Sequence, residues 1–110
     1  IGKSAFRGCN SLSEIVIPSS VTSIGDHAFS DCRSLFEIVI PSSVTSIGNS
    51  AFSCCDSLSE IVIPSSVASI GDSAFYKCKF PDNLKQELIS RFGDELFNDP
   101  FALSYLQFEE

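Results

Sequence analysis

Residues 24–46 read IGDHAFSDCRSLFEIVIPSSVTS, and nearly the same sequence stands on both sides of them. The first copy is IGKSAFRGCNSLSEIVIPSSVTS (1–23) and the third is IGNSAFSCCDSLSEIVIPSSVAS (47–69). Sixteen of the 23 positions are identical in all three, and a partial fourth copy, IGDSAFYKCK, covers 70–79. Such self-similarity at a fixed period predicts a solenoid, in which each copy is one coil that buries its apolar face against its neighbours.

The strand of each coil is predicted by the pattern L-x-x-I-x-I, which occupies residues 12–17 in the first copy. Ile15 and Ile17 alternate with Glu14 and Val16, so the two isoleucines share the buried face of a strand. A proline follows and ends the strand, because proline has no N–H for a ladder. The same positions in the later copies hold Leu35, Ile38, Ile40, Pro41 and Leu58, Ile61, Ile63, Pro64.

The remainder of each copy is predicted to return the chain and to form a short helix. Val21 and Ile24 supply apolar contacts on an extended return, and Gly25 permits a sharp bend. Asp26 suits the N-cap of the helix, and Asn49 and Asp72 hold the same position. The inward face of the helix would consist of Ala28, Phe29 and Cys32.

These motifs resemble the BspA-type leucine-rich repeats, which occur in surface proteins of bacteria and some protists. The resemblance rests on the L-x-x-I-x-I strand, the block I-P-x-S-V-x-x-I-G-x-x-A-F-x-x-C and the 23-residue period, and it covers residues 1–79. It implies an α/β solenoid of right-handed coils with a parallel sheet along one side. It further implies adhesion to host matrix proteins, surface proteins or other cells, and a cell-surface or secreted location. The family has no common catalytic residues to carry over.

Residues 80–110 depart from the repeat and are predicted to form a helical C-terminal cap on the last coil, since a solenoid needs capped ends for solubility. Asp82 is expected to cap a helix that runs to about Phe92 and stops at Gly93. Its apolar face would hold Leu84, Leu88, Ile89 and Phe92. A second short helix is expected to open at Asp99-Pro100 and to continue through Phe101, Leu103 and Leu106. The alternative is that this segment is an interaction helix for a partner.

No equivalent cap is visible before Ile1, where the chain opens within the pattern and without an initiator Met. We therefore expect this chain to be a piece of a longer protein. Strand edges are templates for pairing, so self-association through the uncapped N-terminal coil is a further hypothesis.

The charge of the chain disfavours two classes of partner. The formal net charge is −7, and residues 81–110 contribute −5 of it, with seven acids and two bases. Affinity for nucleic acid rests on lysine and arginine, and anionic membranes attract the same residues. No apolar run approaches the roughly 20 residues that cross a bilayer. We therefore expect no nucleic-acid binding and no membrane insertion by this chain.

Four cysteines, Cys9, Cys32, Cys55 and Cys78, recur 23 residues apart on the predicted inward side. We expect them to be core thiols that pack as small apolar groups, and we predict neither a cofactor nor a metal. A uniform column lacks the clustered pairs of a zinc site, although a zinc site or a disulfide between neighbouring coils stays an alternative. Cys54 aligns with Gly8, Asp31 and Lys77, which predicts an outward position. It is the candidate for a reactive or crosslinking thiol, and the favoured alternative is a surface cysteine without a role.

The candidate interaction site is a column of acidic and apolar side chains on the open face of the sheet. We call it the acidic–apolar strip; it comprises Glu14, Val16, Glu37, Val39, Glu60 and Val62. Stacked carboxylates repel one another, and a basic partner or a cation would relieve that repulsion. The alternative is a solvated column copied by duplication. Phe36 replaces Ser13 and Ser59 at the margin, as a contact anchor or as packing for a loop.

The sequence offers no catalytic constellation. His27 is the only histidine, and no serine or cysteine with an orienting carboxylate is placed beside it by a known motif. Each Ile-Gly pair supplies a single glycine to a turn rather than a phosphate loop. The sequence therefore predicts a non-catalytic protein-binding or adhesion module. The alternative is a structural spacer, since copies this similar carry little diversification of a binding face.

Overall fold

The chain, described over residues 1–101 by a computed structural model, stacks its copies so that residues 23 apart lie side by side in two parallel sheets. The elements are β1 (Glu14–Val16), β2 (Ser23–Ile24), β3 (Glu37–Val39), β4 (Ser46–Ile47), β5 (Ser69–Ile70), α1 (Asp82–Phe92) and a 3-10 helix (Asp94–Phe97). The front sheet is β1-β3, and β2-β4-β5 form a second sheet. The second sheet lies in the return segments, for which the sequence predicts extended chain but not pairing.

A column of stacked phenylalanines forms the centre of the core. The ring centroids of Phe6, Phe29, Phe52 and Phe75 are 5.2, 5.4 and 5.7 Å apart in succession. These separations are close to the spacing of hydrogen-bonded strands, so each coil can stack its ring on the previous one while the backbones stay bonded. Leucine, isoleucine, valine and alanine side chains of the same coils are buried around this column.

The predicted short helix is wrong, because the segment after each Ile-Gly pair forms a series of tight turns. In the second coil the N–H of Ala28 donates to Gly25 O (3.2 Å), but the N–H of Phe29 donates to Ala51 O of the next coil (2.8 Å). Successive N–H groups alternate in this way between their own coil and the next. A helix would keep all of them within its coil. His27, at φ 56°, and Asp31, at φ 62°, adopt the left-handed backbone that the turns require.

The predicted N-cap and bend residues serve contacts between coils instead. The Oδ1 atom of Asp26 accepts from the N–H of Asn49, one coil further on, at 2.8 Å. Asn49 Oδ1 accepts from Asp72 N–H in the same way, at 2.9 Å. A Cβ atom on Gly48 would stand 2.6 Å from Asp26 N and 2.8 Å from Gly25 C. Glycine is thus needed for close approach of neighbouring coils and not for a bend.

The front strand forms in two coils and not in the third. Residues 60–62 keep the alternation, with Ile61 and Ile63 buried and Glu60 and Val62 exposed, yet within residues 1–101 they form no ladder with β3. The strand that the sequence predicts here is therefore incomplete. Its far neighbour is α1 rather than a fourth strand, and Arg91 of α1 donates to Ile63 O (3.1 Å).

The segment after the fourth copy begins as predicted and then departs from the prediction. The helix α1 has the expected limits, but Pro81 rather than Asp82 precedes its first turn, and no side chain caps it. Gly93, at φ 96°, ends it. The 3-10 helix that follows was not predicted, and its Leu96 is buried. Of the residues predicted to form a second helix, Phe101 lies in a turn, and its N–H donates to Asp99 Oδ1. Leu103 and Leu106 lie outside the described residues.

We call the side of the stack that is formed by the tight turns after each Ile-Gly pair the turn side. The 3-10 helix takes the place that a fifth coil would have on this side. The N–H of Ser73 donates to Glu95 O (2.8 Å), and that of Phe75 donates to Leu96 O (2.9 Å). In the earlier coils the equivalent N–H groups donate to the next copy. Phe80 lies edge-on against Phe75, with centroids 5.3 Å apart, and ends the stacked column.

Candidate interaction surface

The acidic–apolar strip lies on the front of the stack, where the sequence predicts it. The register of β1 and β3 sets Glu14 beside Glu37 and Val16 beside Val39. All three glutamates are exposed, and so are the valines: Val16 by 73%, Val39 by 48% and Val62 by 82%. Phe36, at the margin of the strip, is 50% exposed. Half of its surface is therefore available for contact.

Exposed apolar residues concentrate on this face. Among the described residues, five large apolar side chains are exposed, and four of them are Val16, Phe36, Val39 and Val62. The fifth, Phe101, lies in the turn after Asp99. A cluster of exposed apolar groups on one face is typical of an interaction site, whereas single exposed ones are ordinary.

The carboxylates of the strip have no cationic partner among residues 1–101. The ion pairs of that range join Arg7 and Arg33 to Asp31 and Asp56, on the turn side of the coils. Glu14 and Glu37 stand directly opposite one another in the ladder, where like charges repel. The front face therefore carries uncompensated negative charge around its valines.

A cleft of about 540 Å³ opens on the front between β3 and residues 60–62. It exists because these two lengths of chain do not pair. Its walls include Val39, Glu37 and Glu60, and α1 closes one side with Leu84 and Glu87. Glu87 was not predicted as a site residue, and Leu84 was predicted only as part of the cap. Residues 84 and 87 are one helical turn apart, which predicts that they share a face of α1 but not that this face borders a cleft.

Two members of the cysteine column lie in the core, where the sequence predicts them. Cys55 and Cys32 are fully buried. The Sγ of Cys55 donates to Phe29 O and that of Cys32 to Phe6 O, both at 3.0 Å, so each thiol bonds to the coil before it. Burial raises the pKa of both thiols, that of Cys55 to about 12, which keeps them protonated and unreactive at neutral pH. Cys54 is half-buried beside them and faces a second cleft.

The second cleft lies on the turn side and has a volume of about 340 Å³. His27, Asp31 and Cys54 are among the residues that line it. The His27 Nδ1 atom is buried and finds no hydrogen-bond partner among the described residues. Within that same range no three His, Cys, Asp or Glu side chains gather as metal ligands would. None of the helices described has both the length and the apolar character that would let it cross a bilayer.

Known leucine-rich repeat proteins are similar to this chain in sequence and in structure. A family model described as a BspA type leucine-rich repeat region, with six copies, matches residues 1–110. The leucine-rich repeat protein TpLRR of T. pallidum is 42% identical with a TM-score of 0.70, and the match covers 71% of this chain and 36% of that one. A leucine-rich repeat protein of Bacteroides ovatus is 48% identical with a TM-score of 0.70, covering 73% and 21%. No curated protein matches the chain.

A third similar solved structure is that of a cell surface protein. It is a leucine rich cell surface protein of Faecalibacterium prausnitzii, 40% identical with a TM-score of 0.71, and the match covers 74% of this chain and 21% of that protein. In each of the three comparisons the matched region is well under half of the other protein.

Proposed function

The chain belongs to the BspA-type leucine-rich repeat family, and from this we propose that it is a non-catalytic module that binds a protein partner through the front of its coils. The observation that carries the proposal is the acidic–apolar strip, in which exposed valines alternate with glutamates that have no cationic partner among residues 1–101. A solvated column copied by chance would have no need of exposed valines, since apolar surface in water is unfavourable.

The charge of the strip defines the kind of protein that fits it. A partner with lysine or arginine beside apolar side chains would relieve the repulsion between the glutamates and cover the valines. We propose that this partner is a matrix protein or a cell-surface protein with an extended basic and apolar surface. The likeness to a cell surface protein of Faecalibacterium prausnitzii supports a cell-surface or secreted location for this chain.

We assign residues 1–79 to the repeats and propose that residues 80–110 cap them. The support for the cap lies in the backbone bonds of the fourth coil, whose N–H groups donate to Glu95 O and Leu96 O instead of to a further copy. Buried Leu88 and Leu96 cover the apolar end of the stack. A cap of this kind leaves the front face open for a partner.

The test is binding to immobilised matrix and serum proteins over a salt series. The variant carries Glu14→Lys, Glu37→Lys and Glu60→Lys. The matched control carries Asp82→Lys, Asp94→Lys and Asp99→Lys, which are also exposed acids. Each acid-to-lysine substitution raises the net charge by two, so each triple variant has a net charge of −1 instead of −7. Circular dichroism establishes that both variants are folded.

We expect salt-sensitive binding that the strip variant loses and the control keeps, because the three glutamates contact the partner and the three aspartates do not. Equal loss in both variants would mean that the overall charge, and not the strip, attracts the partner. Absence of binding by the unaltered chain to every protein of the panel would favour the structural spacer. The near-identity of the coils is the observation that supports that second function.

A further inference from the structure

The cleft between β3 and residues 60–62 is the place where the front surface departs from a continuous sheet. In the first two coils the strands lie side by side, with Ile15 opposite Ile38. Between the second and third coils the turn sides stay close, with Phe29 and Phe52 stacked at 5.4 Å, while the front is unpaired. The front is thus open at this one junction between described coils.

The walls of the cleft are apolar near its floor and acidic at its rim. Ile38 and Ile61 are 6% and 5% exposed, so each presents only a small area of its side chain at the floor. Val39 and Val62, far more exposed, flank the opening. Leu84 adds an aliphatic wall from α1. These surfaces suit the methylene stem of a long side chain, which favours apolar contact even when its tip is charged.

Carboxylates from three different elements meet this cleft. Glu37 comes from β3, Glu60 from the unpaired third segment and Glu87 from α1. All three are exposed, and within residues 1–101 none forms an ion pair. The negative charge of the cleft is therefore not compensated by a cation of residues 1–101. An anionic ligand would meet repulsion from every side.

We propose that this cleft receives a lysine or arginine side chain from an extended segment of the protein partner. The aliphatic stem lies against Leu84 and the valines, and the cationic tip reaches the three carboxylates. Aliphatic residues next to the cation in the partner segment cover Val39 and Val62. This inference rests on the proposed function and narrows it, because it makes α1 part of the recognition surface and centres binding on one junction between coils.

The test is a titration of the full chain, labelled with nitrogen-15, with the blocked peptide Ac-Ser-Val-Lys-Val-Ser-NH2. The comparison peptide has glutamine in place of lysine. We expect the lysine peptide to shift the amide signals of Val39, Val62 and Glu87. Because exposed charge pairs are individually weak, the lysine peptide should bind only on the order of fivefold more tightly than the glutamine peptide.

Three single variants localise the binding. Glu60→Gln and Glu87→Gln should each weaken binding of the lysine peptide, and the preference for lysine should fall with them. Glu95→Gln is the matched control, since Glu95 is also an exposed glutamate but lies neither in the acidic–apolar strip nor in the cleft. It should leave the affinity unchanged.

The outcomes separate this inference from the function on which it rests. Equal binding of the two peptides, no binding of either, or equal effects of Glu95→Gln and Glu87→Gln would overturn the cleft as a cation site. If the panel proteins still bind and the triple strip variant still loses them, the front face remains the binding surface and only the cleft is wrong. If the panel proteins do not bind, the protein-binding function itself fails.

Discussion

The turn side and the front of the third coil differ in how firmly they are joined to the second coil. On the turn side the N–H of Gly48 donates to Ile24 O (2.8 Å), Asn49 bonds to Asp26, and Phe52 stacks on Phe29. On the front the same two coils share no ladder, and a cleft lies between them. The comparison teaches that one part of a coil can secure the stack while another part stays available for binding.

The largest expected effect comes from removing a ring of the stacked column. Phe52→Ala should lower the free energy of unfolding by about 3–5 kcal/mol, because it leaves a cavity at a fully buried site. Val62→Ala on the front, where the side chain is 82% exposed, should stay within about 0.5 kcal/mol. Urea unfolding followed by circular dichroism measures both. Similar losses in the two variants would show that the front contributes to stability as much as the turn side.

The second largest loss of stability should come from a side chain added where neighbouring coils approach closely. Gly48→Ala should lower the free energy of unfolding by more than about 1 kcal/mol, because its Cβ would meet the backbone of Gly25 and Asp26. Gly2→Ala is the matched control at the same position of the first copy, where no atom lies within 4 Å of the added Cβ. The same urea unfolding compares them. An unchanged Gly48→Ala variant would mean that the coils can separate on the turn side too.

The buried thiol of Cys55 makes stability depend on pH. Its pKa is raised from 9.0 to about 12 by burial, so the thiol is protonated in the folded chain at a pH where the unfolded chain has lost the proton. Stability is therefore full below pH 9 and falls as the pH rises from 9 towards 12, by up to about 1.4 kcal/mol per pH unit for one such thiol. Cys55→Ala should show a shallower decline.

The measurement is the urea midpoint at several pH values between 7 and 10.5 for the unaltered chain and for Cys55→Ala. Groups other than Cys55 titrate in both proteins and cancel in the difference of slopes. Parallel declines would show that solvent reaches Cys55 and that the turn side opens readily.

The sequence predicts much of the solenoid because its signals repeat. The alternation of Ile15 and Ile17 with Glu14 and Val16 needs only the period of a strand, and the structure has it in all three copies. The limits of α1 follow from its apolar spacing and Gly93. The outward position of the acidic–apolar strip follows from the same alternation, so the exposure of its residues was predictable without a structure.

What the sequence could not predict depends on neighbours in space. The segment Ala28–Cys32 has the spacing of a helix, but its alternate N–H groups bond to the next coil, and a single copy gives no sign of that competition. The identical Glu-Ile-Val segments form strands in the first two coils and not in the third, whose far neighbour is α1 rather than a further strand. Because α1 forms one wall of the cleft, Glu87 could be assigned to it only in three dimensions.

The smallest loss of stability should come from removing the hydrogen bonds between α1 and the front of the third coil. Arg91 donates through Nη1 to Ile63 O (3.1 Å) and through Nη2 to Pro64 O (3.4 Å). Arg91→Gln should lower the free energy of unfolding by only about 0.5–1 kcal/mol, since Arg91 is exposed and a typical intramolecular hydrogen bond has a small net contribution to stability.

The informative measurement for Arg91→Gln is hydrogen exchange, resolved by residue, with Ser90→Ala as the matched control at the neighbouring exposed position of α1. We expect the amides of α1 and of residues 60–63 to exchange faster, while those of the turn segments around Phe29 and Phe52 keep their protection, because local opening involves only the weakly joined part. Faster exchange on the turn side as well would show that α1 stabilises the whole stack. In that case the front and the turn side would form one cooperative unit, and the front could not adapt to a partner without loosening the core.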